Sequence, residues 1–356
     1  MATTTKSEFT REEVGLALRN PGMPLEALRR PVTPAGMHYV LVHFDVPDVD
    51  AASYELRVDG RVSEPLSLTL DDVRARPAVS RPVVMECAGS GRARLAPRPV
   101  SAPWHDEAIG CAEWTGTPLR GLLEQAGLAD DAVEIVFTGH DRGIDQGVEQ
   151  DYQRSLSIDD ALGDDVLLAY AMNGTPLPPQ HGFPLRLLVP GWYGMASVKW
   201  LRSITAVAEP FEGVQQTLLY RYRRNEDEAG EPVTRQRPRA LMAPPGIPEF
   251  LSRARHVRAG PTLVEGRAWS GSALIDRVQF SADGAATWVD ARVEPPPSAG
   301  GWSAWSYEWD ATPGDHELCA RATDATGETQ PLDADDTWNQ GGYGVNAVQR
   351  VSVRVA

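Results

Sequence analysis

Hydrophobic and polar positions alternate with a period of two through the last quarter of the chain. Residues 264–269, 275–281 and 305–309 each alternate in this way, the signature of half-buried strands. Ala282-Asp283-Gly284 reads as a hairpin turn between Val278-Gln279-Phe280 and Thr287-Trp288-Val289. Residues 316–322 and 348–355 complete a set of about seven short strands, as in an immunoglobulin-like sandwich. Six of the ten tryptophans (Trp269, Trp288, Trp302, Trp305, Trp309 and Trp338) fall here, and long helical periodicity is absent.

The first two thirds mix periods. Residues 54–58, 83–86, 133–137, 166–172 and 185–189 read as strands. Residues 67–75 and 118–126 carry short amphipathic helix patterns, with Thr69 or Asp71 as a cap for the first. No GxGxxG follows a strand to open a helix and there is no phosphate-binding P-loop, so a nucleotide-binding α/β fold has no support. Gly89-Ser90-Gly91, taken alone, reads as a turn. Residues 225–253 are rich in proline and charge and lack periodicity, the composition of a linker.

Length and charge narrow the function. At roughly 100–200 residues per domain, 356 residues suggest two domains or three. Lys and Arg total 34 against 49 Asp and Glu, a formal charge of −15, which disfavours nucleic acid and anionic membranes as partners. The three cysteines, Cys87, Cys111 and Cys319, form no metal or haem motif and no disulfide framework, which points to a reducing compartment. The first twenty residues lack an apolar signal region and no apolar run approaches the roughly 20 residues of a membrane span. A cytoplasmic protein without a membrane partner is expected.

Hydrolase constellations are missing. There is no GxSxG, no HExxH, and the seven histidines show no ligand pair at helical spacing. Cys87 stands out by its surroundings. It ends the apolar strand Pro82-Val83-Val84-Met85-Glu86 and precedes a glycine-bearing turn, with Arg92 and Arg94 just beyond. Such a thiolate suits a nucleophile or a soft metal ligand, while a buried structural cysteine is the plainer alternative. Residues 184–204 form the second unusual segment. Pro190-Gly191 follows a strand, and Arg186, Ser197, Lys199 and backbone amides would suit a phosphate or a large polar cofactor.

Together these motifs carry a resemblance. Met85-Glu86-Cys87-Ala88-Gly89 with Arg92, Glu113-Trp114-Thr115-Gly116, Tyr170-Ala171-Met172-Asn173-Gly174, His181-Gly182-Phe183-Pro184-Leu185-Arg186, and Ser197-Val198-Lys199-Trp200-Leu201 resemble the molybdenum domain of the sulfite oxidase family. Ala268-Trp269-Ser270-Gly271, Ser281-Ala282-Asp283-Gly284 and Trp338-Asn339 with Asn346 resemble that family's dimerisation domain. The resemblance implies an α+β sulfite-oxidase-type molybdopterin domain followed by an all-β immunoglobulin-like sandwich. The expected boundaries are an N-terminal extension at 1–32, the molybdopterin domain at 33–226, a linker at 227–255 and the dimerisation domain at 256–356.

The resemblance also implies a site. Cys87 matches the thiolate that ligates molybdenum, beside the dithiolene of molybdopterin. His43, Asp141, His181 and Arg186 match cofactor-binding positions, joined by Ser197 and Lys199. Arg92, Trp104 and Tyr220 match the substrate pocket, with Tyr222 competing with Tyr220. Two further pocket arginines are not matched: Leu41 stands at one position, and Gln340-Gly341 near the other. Arg94 and Arg221 are candidates to replace them. No segment resembles a haem domain, so no haem is expected. The function implied is oxidation of sulfite to sulfate by oxygen-atom transfer. Electrons would leave to a separate acceptor, a cytochrome or oxygen, and the chain would form a homodimer. The alternatives are a nitrate or sulfoxide reductase of the same superfamily, or a cofactor-free binding or assembly protein.

Overall fold

The structure, a computed structural model, describes residues 9–356, so the first eight residues of the expected N-terminal extension lie outside it. The chain forms two compact units. One comprises Val40–Ala88 and Ala112–Thr234. The other comprises residues up to Tyr39, Gly89–Cys111 and Arg235–Ala356.

The first unit is α+β. Its five-stranded sheet runs in the order Leu66–Thr69, Glu55–Gly60, Leu201–Val207, Glu134–Asp145, Val148–Ser157. Glu55–Gly60 and Leu201–Val207 pair in parallel, and the other neighbours are antiparallel. Leu56 and Val58 are buried at alternate positions of Glu55–Gly60, whereas Ile135 to Gly139 of Glu134–Asp145 are buried without a break. The helix Leu119–Ala126 buries Leu119, Leu122, Leu123 and Ala126 on one stripe and ends at Gly127, whose φ of +66° suits a residue without a Cβ. A second sheet joins Val79–Glu86, Ile109–Pro118, Leu167–Met172 and Thr175–Pro176, with Arg186–Leu188 on Leu167–Met172.

One expected helix is shorter than its pattern. Within 67–75 the structure makes a strand, Leu66–Thr69, and then a single helical turn, Leu70–Arg74. Thr69 divides them. Its Oγ1 accepts from the Asp72 amide at 3.2 Å while the Asp72 carboxylate accepts from the Thr69 amide at 2.9 Å, a reciprocal cap that starts the helix there.

The second unit is dominated by two antiparallel-rich sheets. One runs Arg239–Ala243, Gly260–Trp269, Ser303–Ala311, Arg292–Glu294. The other runs Ile247–Pro248, Arg255–Val257, Gln349–Val355, Gly314–Asp324, Ile275–Ser281, Val289–Asp290. Their inner faces share one core that includes Met242, Val264, Phe280, Trp305, Trp309, Leu318 and Val353. The hairpin expected at 282–284 joins Ile275–Ser281 to Val289–Asp290, with Phe280 opposite Val289.

Composition misreads part of 227–255. Arg239–Ala243 is buried throughout and pairs with Gly260–Trp269, so this stretch belongs to the sandwich sheet and not to a free linker. Residues 9–32 are also built in. Helix Arg11–Arg19 is capped by Thr10, and its Glu13 makes a buried ion pair with Arg98. Arg267 and Trp302 donate to the carbonyls of Leu28 and Pro31 at 2.9 Å each.

Trp305 carries the sandwich core. It is 2% exposed, its Nε1 donates to the Leu241 carbonyl at 3.2 Å, and it lies against Gly266, where a Cβ would strike its indole. Trp305→Ala should cost about 3–5 kcal/mol, read by urea unfolding. A loss below about 1 kcal/mol would remove the indole from the core.

Candidate functional site

In the first unit the chain leading to Cys87 is extended and buried over its last four residues, Val83 to Glu86, and Cys87 itself is 6% exposed. Met85, two residues before Cys87, accepts from Arg186 Nη2 at 3.4 Å through its sulfur. Arg186 is 2% exposed. Its Nη1 donates to the His181 carbonyl and its Nη2 to the Ser197 carbonyl, both at 2.9 Å, and its guanidinium lies 5.0 Å from the Trp114 ring centre. One buried cation therefore ties the strand before Cys87 to the turns that carry His181 and Ser197.

Ser197 is used locally as well. Its Oγ accepts from the Val189 amide at 3.1 Å and closes the loop after Arg186–Leu188. Lys199 Nζ donates to the carbonyls of Leu41 at 2.8 Å and Gln180 at 3.1 Å. Gly182 permits this approach. It has φ +104°, and a Cβ there would press on the Cβ atoms of Lys199 and Arg186 at 3.0 and 3.2 Å.

Asp141 is 4% exposed, and its Oδ1 is buried without a hydrogen-bond partner. Burial pushes its carboxyl up to about 6, with the nearby Lys199 charge pulling the other way. A buried, unpaired acceptor beside a lysine fits the N–H groups of a bound heterocycle. His140, the next residue back along the strand, is exposed and borders a polar surface cleft of about 770 Å³ that contains none of the expected site residues.

His43 and Tyr220 meet directly. The Tyr220 hydroxyl and His43 Nε2 are 2.6 Å apart, and the His43 ring stacks on Tyr152 at 4.8 Å. Tyr220 is 6% exposed, lies under the Arg154 guanidinium at 5.5 Å, and takes the left-handed φ of +52°. A non-glycine residue in that region stores about 1–3 kcal/mol, a cost met where a side chain must point one way. Tyr222, by contrast, pairs with Glu231 in a two-residue strand. Of the two tyrosines, Tyr220 is the one built into a polar cluster.

Arg92 and Trp104 belong to the second unit. Arg92 is 6% exposed. Its Nε donates to the Gly341 carbonyl at 3.1 Å, its Nη1 reaches the Ala102 carbonyl at 3.4 Å, and its guanidinium carbon is 5.3 Å from the Tyr343 ring centre. Gly89 makes room for it: a Cβ there would lie 2.7 Å from the guanidinium carbon. No protein acceptor takes Nη2 among the described residues. Trp104 is 7% exposed, with a buried Nε1 that has no partner. Both side chains thus hold a donor in reserve.

The two compensating arginines are engaged elsewhere. Arg94 is paired with Asp106, which also takes Arg239 at 2.6 Å; burial opposes that charge, but the two guanidinium groups outweigh it and hold Asp106 below the usual carboxylate range. Arg221 closes a turn through the Ala229 and Gly230 carbonyls at 2.6 Å each. Cys111 and Cys319 are buried thiols, pushed up to about 12 and about 11 by burial, as structural cysteines are. Sequence reasoning missed Tyr152, Arg154 and Tyr343, aromatic and cationic residues that no motif singled out.

The Asp141 carboxyl yields a pH test on cofactor-free protein. A carboxyl raised from 3.8 to about 6 keeps its proton in the folded state while the unfolded chain loses it. Stability therefore falls as pH rises from about 4 to about 6, by up to about 3 kcal/mol, and is level above that. Asp141→Asn should flatten this part of a melting-temperature profile. An unchanged profile would place the titration elsewhere.

Comparison with known proteins shows the family. Residues 43–215 match the oxidoreductase molybdopterin binding domain, and residues 244–356 match the Mo-co oxidoreductase dimerisation domain. The chain is 34% identical over 344 residues to sulfite oxidase of Gallus gallus, covering 90% of this chain and 72% of that protein. It is 31% identical to mitochondrial sulfite oxidase of Homo sapiens, of which it spans 62%, and 31% identical to an NAD(P)H nitrate reductase of Hordeum vulgare, of which it spans 39%. The sulfane dehydrogenase SoxCD of Paracoccus pantotrophus superposes with a TM-score of 0.82 at 26% identity, over 99% of this chain and 87% of that one. No described helix is long and apolar enough to cross a membrane. With both domains matched in order and a sulfite oxidase relative 34% identical over most of the chain, the chain belongs to the molybdopterin-dependent oxidoreductases of the sulfite oxidase family.

Proposed function

We propose that this protein oxidises a small sulfur oxyanion, with sulfite as the leading substrate, and passes the electrons to a separate acceptor. The observation that carries this reading is Arg92: a buried guanidinium, pinned by two carbonyls, whose Nη2 is left for an anion. The sulfite oxidase relatives support the substrate class. When bound, the molybdenum cofactor supplies oxygen-atom transfer and two-electron redox chemistry.

The chain's own residues have distinct tasks in this reading. Cys87 supplies the thiolate ligand. Asp141 accepts from the pterin ring, and Lys199 and His181 face the cofactor's polar groups. Arg186 and Ser197 act one step back. Their donors and acceptors are engaged by backbone, so they position the loops that hold the cofactor. Arg92 holds the anion, and Trp104 Nε1 is the second donor for it. The dimerisation domain supports a homodimer, checked by sedimentation.

A reductase reading has one specific support, the nitrate reductase similarity together with a pocket short of arginines. Direction of turnover with artificial donors and acceptors separates the two. In molybdenum-loaded protein, Cys87→Ser should keep the fold and lose sulfite turnover, measured with ferricyanide. Near-wild-type turnover would take Cys87 out of the metal site. Arg92→Ala should raise the KM for sulfite about tenfold or more, from the roughly 1.5–3 kcal/mol of one charge-assisted bond. An unchanged KM would sink the assignment of Arg92.

A further inference from the structure

The substrate-side arginine has an unexpected neighbour. Gly341 occupies the place near which the resemblance implies another cation, and the direction a side chain would take from it is filled. A Cβ at 341 would run into the Tyr343 ring, 2.6 Å from Cδ2 and in contact with Cε2. The same ring faces the Arg92 guanidinium at 5.3 Å, while the Gly341 carbonyl accepts from Arg92 Nε. Tyr343 is held there by its backbone. Asn339 Nδ2 donates to the Tyr343 carbonyl at 2.7 Å, and Asn339 Oδ1 accepts from the Tyr343 amide at 3.0 Å. Gly342, between them, takes φ +58°, and a Cβ there would press on Arg92 Cγ at 2.8 Å. The 339–343 turn and the Arg92 side chain are therefore built to fit one another.

We propose that Tyr343 is a specificity-determining residue, which replaces a cation with an aromatic face and turns the Arg92 site toward singly charged anions bearing an apolar group, organic sulfur oxyanions among them. The inference rests on the reading of Arg92 as the anion holder. One guanidinium balances one negative charge; a dianion would leave a second charge against a ring face, whose quadrupole repels anions. An alkyl or aryl substituent is instead covered by that ring. The aromatic face also orients the guanidinium plane, because cations settle over aromatic rings.

The test is equilibrium binding of two probe anions, sulfate and methanesulfonate, to the cofactor-loaded full chain by titration calorimetry. Wild type should bind methanesulfonate at least as tightly as sulfate. Tyr343→Phe should keep that ratio, since the ring and not the hydroxyl carries the effect. Gly341→Arg alone should gain little for sulfate, because its path is filled. Gly341→Arg with Tyr343→Val should shift the ratio toward sulfate about tenfold or more. Wild type favouring sulfate more than tenfold, an unchanged ratio in the double variant, or the full gain from Gly341→Arg alone would each overturn the proposal. Should the double variant fail to fold, the wild-type ratio and the single variants still decide it. Arg92→Ala should weaken both anions alike. Unaltered binding of both in that variant would overturn the reading of Arg92, while the wild-type ratio tests Tyr343 separately.

Discussion

A guanidinium at 2% exposure must find acceptors or cost several kcal/mol, and Arg186 meets that demand with the chain around Cys87. The His181 and Ser197 carbonyls, the Met85 sulfur and the Trp114 face all converge on it. Those groups come from separate stretches of sequence. Their relative positions are consequently set by the desolvation demand of one cation more than by any loop's own preference. Ser197, Lys199 and Gly182 then pack about that fixed point, with Gly182 admitting the close approach of Lys199 and Arg186.

The same reasoning separates arginines that serve the fold from those able to serve a ligand. Arg94 and Arg239 share Asp106, and Arg221 is committed to a turn. Arg92 differs in being buried with no carboxylate partner, oriented by two carbonyls that leave Nη2 over. The number of arginines near a site is a poor measure of its charge. What counts is the donors left after the backbone has been served.

Local pattern was enough for most of the fold. Strands such as Gly260–Trp269 and the helix Leu119–Ala126 declare themselves because their periodicity is written within a dozen residues. Leu66 to Val73 satisfied two periods at once, and only the Thr69 cap decides between them. Arg239–Ala243 hid among prolines and charges because its strand character depends on pairing with Gly260–Trp269. The site divides the same way. Cys87, His181, Arg186 and Lys199 sit in motifs whose order along the chain is distinctive. Tyr343 lies between Trp338-Asn339 and Asn346, and nothing local announces its link to Arg92, which spans most of the chain.

That span has a consequence during synthesis. Arg92 and the Gly341 carbonyl it binds are 249 residues apart. At roughly 5–20 residues per second, the ribosome makes the arginine about 10–50 s before it makes the turn that clamps it. Through that interval the segment Gly89–Cys111 is already outside the tunnel while the strands of its own compact unit are still being made. A nascent chain halted short of the Asn339 turn would carry Cys87 on a finished strand and an Arg92 that lacks both the Gly341 carbonyl and the Tyr343 ring.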